Sequence, residues 1–163
     1  MPDSLIDQIL RAISDVASLY HRLVLVVGPS ASGKTSALQA LAERTGTPRI
    51  NLNLELSRRL MDLTARQRTL QLPSIFSDVL AAVPGDILLL DNIEILFDTA
   101  LQQNPLHHFQ TASRNRTVVV AWNGTVVRDD RDKASLTYAT PDHPEYRRYP
   151  ATDLTLVESI GTA

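Results

Sequence analysis

Eight consecutive residues, Gly28, Pro29, Ser30, Ala31, Ser32, Gly33, Lys34 and Thr35, match the pattern G-x-x-x-x-G-K-[ST] without departure. Each fixed position answers a physical demand. Gly28 and Gly33 let the backbone turn so tightly that successive N–H groups converge on one anion. Lys34 supplies a positive charge to the outer phosphates, and the Thr35 hydroxyl is a hard oxygen ligand suited to Mg²⁺. At average composition these fixed positions coincide by chance in roughly one chain of this length in a few hundred. Context argues further against chance. Residues 23–27 form a short valine-rich apolar run suited to a buried parallel strand. Ala37, Leu38, Leu41 and Ala42 then mark a helix that stops near Gly46. A strand, a glycine-rich turn and a helix N-terminus together form an anion site. Residues 28–36, ending at Ser36, are the candidate phosphate cradle, with ATP and Mg²⁺ as the expected cofactors.

The rest of the chain supplies the matching framework. Leu5, Ile9, Ile13, Val16 and Tyr20 recur at helical spacing, with Ser4 and Asp7 as a capping arrangement, and this helix is expected to pack across a sheet edge. Ile50, Leu52 and Leu54 alternate with Asn51 and Asn53, predicting a second strand. Residues 55–68 and 74–83 read as helices separated by Pro73. Pro84-Gly85 turns into a third apolar strand at 87–90. Residues 93–113 read as helical with a break at Pro105, and 117–122 as a fourth strand ending at Asn123-Gly124. Residues 127–133 read as an exposed loop. Pro141 and Pro144 argue against a central strand within 136–149, and 154–157 suits a last strand. Strands alternating with helices predict an α/β fold, a three-layer P-loop sandwich with a mainly parallel sheet. At 163 residues and 44% hydrophobic content, one domain over residues 1–163 accommodates all of it.

A second chemical element is the stretch Asp86 to Glu94. A buried apolar strand ending in a carboxylate is what a Walker B element requires, with Asp91 holding the water shell of Mg²⁺. An ordinary core strand ending in a helix-capping Asp has the same local pattern. Its place downstream of the loop lysine favours the metal role. Many P-loop ATPases carry Glu directly after that Asp, whereas this chain has Asn92. Glu94 is then the candidate general base or water-positioning carboxylate, and a helix-capping role is the competing reading. Asn123, at the end of the fourth strand, is a candidate γ-phosphate sensor or one half of an Asn-Gly turn. Arg114 and Arg116, just before that strand, are candidates to act on a neighbour's nucleotide, against the ordinary role of solvated arginines. His107 and His108 lack metal-ligand spacing.

Composition removes several function classes. No cysteine is present, so disulfides and thiolate chemistry are excluded. The formal net charge of −2 creates no global basic field, and direct DNA binding has no support beyond scattered arginines. The apolar runs are too short to span a membrane, and the first residues lack a signal-peptide pattern, which points to a soluble protein of the cytoplasm.

A P-loop, a Walker B strand and a strand ending in Asn, in this order, resemble the core of AAA-type ATPases; no helical lid is expected after that strand, a departure that puts in doubt the second arginine sensor such a lid carries. More specifically, GPSASGKT (28–35), INLNLELSRRL (50–60), LLLDNIEILF (88–97) and YATPDHPEY (138–146) resemble the BrxF family, small P-loop proteins of type III BREX phage-defence systems. That resemblance implies a nucleotide-binding component of a multi-protein bacterial system that separates host from phage DNA by methylation. It also implies other BREX proteins as partners, and it carries nucleotide or Mg²⁺ roles onto Lys34, Thr35 and Asp91. Three readings follow. The first is an ATPase or ATP-gated switch, assembling as a homo-oligomer or with partners. The second is a small nucleotide kinase, since GPSASGKT is close to the loop of guanylate kinases, although no Arg-rich lid segment is visible. The third is a module that holds nucleotide or DNA without turnover, which Asn92 favours.

Overall fold

A computed structural model describes residues 4–129, 131 and 133–159. The chain runs through α1 (Leu5–Val16), β1 (Leu23–Gly28), α2 (Lys34–Thr45), β2 (Arg49–Asn51), α3 (Leu52–Leu60), α4 (Ala65–Ala81) and β3 (Ile87–Asp91). Two 3₁₀ turns, Glu94–Phe97 and Thr99–Leu101, lead to α5 (Pro105–Ala112). Then follow β4 (Thr117–Arg128), β5 (Ala134–Tyr138), β6 (Arg147–Pro150) and β7 (Thr155–Glu158). The main sheet has the order β2-β3-β4-β1-β7, with every pairing parallel. The far half of β4 leaves that sheet and pairs antiparallel with β5, which pairs with β6. This is the expected α/β sandwich with a mainly parallel sheet.

Because side chains alternate across a strand, the apolar strands feed two cores. Val24, Val26, Leu89, Val119 and Ala121 meet α1 and α2 through Ile9, Val16, Leu38 and Leu41. On the opposite face, Leu25, Val27, Leu88, Leu90, Val120 and Trp122 meet α3, α4 and α5 through Leu56, Phe76 and Phe109. The first helix packs on β1 and on β7, the strand at one edge of the main sheet, and it ends at Val16 rather than continuing to Tyr20. Ser4 Oγ accepts from the Asp7 amide, as its capping pattern predicts.

Four sequence expectations are corrected. The second strand stops at Asn51, whose side chain accepts from the Leu54 amide and so starts α3. Leu52, Leu56 and Leu60 are all buried at helical spacing, and this overrides the apolar–polar alternation of 50–54. The helix expected over 55–68 breaks after Leu60, and α4 restarts behind Thr64, which forms a capping box with Gln67. Pro73 does not divide α4. The carbonyl that its missing N–H would leave unpaired, Thr69 O, accepts instead from Gln103 Nε2 at 3.1 Å. Finally, Asn123-Gly124 is not a turn. β4 continues to Arg128, so Val127 and Arg128 belong to a strand instead of the expected loop. Within that loop Asp130 and Asp132 lie outside the described residues. Pro105 marks the break expected in 93–113 by taking the first position of α5, where a missing N–H costs nothing.

Candidate nucleotide site

β1 delivers the chain to the loop, and Gly28 pairs with Asn123 at the same end of the sheet. A side chain at Gly28 would meet Ser159 O and Ser32 Oγ, each at 2.7 Å, so the position admits only glycine. Ala31 (φ 61°) and Gly33 (φ 93°) both take the left-handed conformation, which produces the tight reversal the motif demands. Ser32 is buried, and its carbonyl accepts from Ser159 Oγ at 2.5 Å. The Ser159 amide in turn donates to Val27 O at 2.7 Å. The residue just after β7 therefore buttresses the loop from behind, a role that no local pattern in the sequence announces.

Lys34 opens α2 and is 5 % exposed. Its Nζ donates to Gly28 O (2.8 Å), Pro29 O (2.5 Å) and Ser32 Oγ (3.3 Å). Burial lowers its pKa, opposed by the negative charges of Asp91 and Glu94. The buried ammonium thus sits in a field that an incoming polyphosphate would reinforce.

Ser30, Ala31, Gly33, Lys34, Thr35, Ser36, Asp91, Asn92, Glu94 and Asn123 line one cavity of about 430 Å³. Nine of the twelve residues singled out as cis nucleotide or catalytic candidates converge there. Gly28, Pro29 and Ser32 do not line the cavity, and each instead supplies an oxygen that accepts from Lys34 Nζ. Asp91, buried at the end of β3, accepts from the Asn92 amide through Oδ1 (2.8 Å) and from Arg49 Nη1 through Oδ2 (3.0 Å). Asn92 takes φ 53°, a left-handed turn that carries the chain from the strand into the Glu94 turn.

Glu94 is held by two amides. Asn123 Nδ2 donates to Oε1 at 2.8 Å, and Asn53 Nδ2 donates to Oε2 at 2.9 Å. Asn53 is itself fixed: its Oδ1 accepts from the Ile95 amide, and its own amide donates to Asn92 O, both at 2.8 Å. Asn53 and Arg49 are site residues that sequence reasoning missed. Asn53 read as the polar half of a strand alternation, and Arg49 carried no motif. Tyr138 of β5 stacks on Phe97 of the first 3₁₀ turn, and burial together with the charges of Glu94 and Glu145 pushes its phenol pKa well up.

Arg114 and Arg116 lie elsewhere. They precede β4, whose start pairs with the start of β1, at the end of the sheet opposite the loop. Arg116 donates to Leu80 O (2.9 Å) and Val83 O (2.7 Å) at the end of α4, while Arg114 lies over the exposed Tyr20 ring.

A hydroxyl (Thr35) and a carboxylate (Asp91) on one cavity are hard oxygen donors. Among the described residues no cluster of three or more His, Asp or Glu could cage a metal by itself. That donor set fits Mg²⁺, which is ordinarily held by one or two protein oxygens together with phosphates and water. Among the described residues no helix is long and apolar enough to cross a membrane.

The family described as "ATPase family associated with various cellular activities (AAA)" matches residues 24–126, from β1 into β4. The chain belongs to this AAA family of ATPases. No curated protein and no solved structure gives a significant match.

Proposed function

We propose that the protein binds ATP with Mg²⁺ and hydrolyses it, using the change of nucleotide state to control assembly. The observation that carries the reading is the placement of Glu94. Its carboxylate is fixed by Asn53 and Asn123 on the same cavity that Lys34, Thr35 and Asp91 line. The loop and Lys34 bind and orient the polyphosphate. The Thr35 hydroxyl and Asp91 would hold Mg²⁺, which when bound neutralises charge on the outer phosphates. Glu94 positions the attacking water and accepts its proton. Asn123, already bonded to Glu94, ties that carboxylate to the point in β4 that pairs with Gly28 at the start of the loop. Replacing Glu94 with Gln should lower phosphate release by about 10²–10⁴-fold while leaving ATP affinity near the wild-type value. Unchanged release in that variant would remove Glu94 from the role.

The finer part of the proposal is that the chain is a BrxF-type component of a bacterial BREX anti-phage complex, working in the cytoplasm with itself and other BREX proteins. Its support is the set of segments at 50–60, 88–97 and 138–146 quoted above. Assembly is supported by the exposed Leu54, Met61 and Leu70 on and beside α3 and α4. For action in trans, Arg114 is the freer of the two arginines, because Arg116 is committed to two carbonyls. DNA enters this account through partner proteins rather than through a basic surface of this chain.

A further inference from the structure

Asp91 has no idle oxygen. Oδ1 is taken by the Asn92 amide and Oδ2 by the guanidinium of Arg49 at 3.0 Å. The pairing of β2 with β3 builds this contact: Arg49 stands opposite Leu89 and Asn51 opposite Asp91, so Arg49 and Asp91 share one sheet face. That face is covered by α2, and Arg49 Nε donates to Gln39 Oε1 of α2 at 3.2 Å. The guanidinium is thus anchored at two points from two elements, with its planar fork suited to both. The Asp91 side chain is 7 % exposed and that of Arg49 27 %, so the pair is partly sheltered from solvent screening.

This arrangement has a consequence for metal binding, given the reading of Asp91 as the residue that holds the metal's water shell. A carboxylate already neutralised by a guanidinium attracts a divalent cation less. We propose that Arg49 is the internal competitor of Mg²⁺ for Asp91, a positioning residue that must release the carboxylate before a metal can use it. Apparent affinity for the metal is then reduced by the fraction of molecules in which Asp91 is free. The coupling is reciprocal: whatever draws Mg²⁺ to Asp91 also loosens Arg49. A polyphosphate, which brings its own charge to the cation, tips that balance where the free metal alone does not. The device makes the site select metal and nucleotide together. It also links the nucleotide to β2, and through β2 to α3, which begins at the next residue and carries Asn53.

The test is a Mg²⁺ titration of the binding of a fluorescent ATP analogue to the wild type, Arg49→Gln and Arg49→Lys, with thermal unfolding of each protein measured without ligand. For Arg49→Gln the half-saturating Mg²⁺ concentration should fall about tenfold, as for a pair formed about nine-tenths of the time. Arg49→Lys, which keeps a charge but not the planar fork, should fall between the two. Half-saturation unchanged in both variants, whatever happens to their melting temperatures, would make Arg49 a staple between strands and overturn the proposal. If Arg49→Gln does not fold, Arg49→Lys decides alone, a lowered value supporting the proposal and an unchanged one overturning it. A wild type that shows no Mg²⁺-dependent nucleotide binding would instead defeat the nucleotide-site reading itself, which is a different result.

Discussion

Glu94 is tethered twice, and its two tethers have separable effects. Replacing Asn123 with Ala frees Oε1 and leaves Oε2 bonded to Asn53. The carboxylate then keeps one anchor, and phosphate release should fall about tenfold, less than the loss when a positioned acid–base group is removed outright. Asn53→Ala should slow release similarly. It should also cost about 1 kcal/mol of stability, because the bond from the Ile95 amide is lost with it. Steady-state phosphate release and chemical denaturation of both variants check the split; equal stability losses would contradict it. These residues also mark where sequence reading stops. Lys34, Thr35 and Asp91 belong to patterns whose chemistry is local, so they were legible. Asn53 and Arg49 act on partners 41 and 42 positions away, and only the pairing of β2 with β3 brings them together.

Among the elements, β4 has the strictest requirement. It serves two sheets, and it changes partner at Gly124, where an added Cβ would fall 1.7 Å from Thr137 O of β5. Backbone cannot yield there as a flexible side chain can. Gly124→Ala should therefore destabilise the protein by about 1–3 kcal/mol or more and loosen the ribbon over Trp122, whose Nε1 donates to that same carbonyl. A melting temperature equal to the wild type would contradict this. Asn-Gly is a turn signal on local grounds, and a close approach between strands is invisible to a window of a few residues. Pro73 illustrates the same point, since the group that accepts its cost, Gln103, lies in another segment.

The helix pair α4–α5 carries a pH dependence. Burial, and secondarily the charge of His107, lowers the pKa of His108 from 6.5, while its Nε2 lies 2.8 Å from Gln103 Oε1. As pH falls through 6.5 the unfolded chain takes up the proton before the folded one, so stability is present above that pH and declines below it. Replacing His108 with Gln should flatten this part of the stability–pH curve between neutral and mildly acid pH. An unaltered difference between the two curves across that range would refute the assignment.

At the scale of the whole molecule, the parallel order β2-β3-β4-β1-β7 puts the ends of β1 and β3 beside the middle of β4 at Asn123, and the cavity lies across them. The mainly parallel sheet followed from apolar runs alternating with helical spacing, because a buried parallel strand leaves a continuous apolar signature, whereas the order of the strands came from the structure. The β5–β6 ribbon did not follow, since its residues are short, half-exposed and interrupted by prolines. If nucleotide state controls assembly, light scattering should show a mass that rises to a multiple of the monomer with ATP and Mg²⁺ and falls again with ADP. A mass independent of nucleotide would contradict the switch without touching the site. The site itself is tested most directly by calorimetric titration of ATP with Mg²⁺ into the wild type and Lys34→Ala. The account predicts saturable one-to-one binding to the first and a loss of at least about a hundredfold in affinity in the second, as expected when a buried phosphate-binding charge is removed. Equal affinity in the two proteins would contradict it.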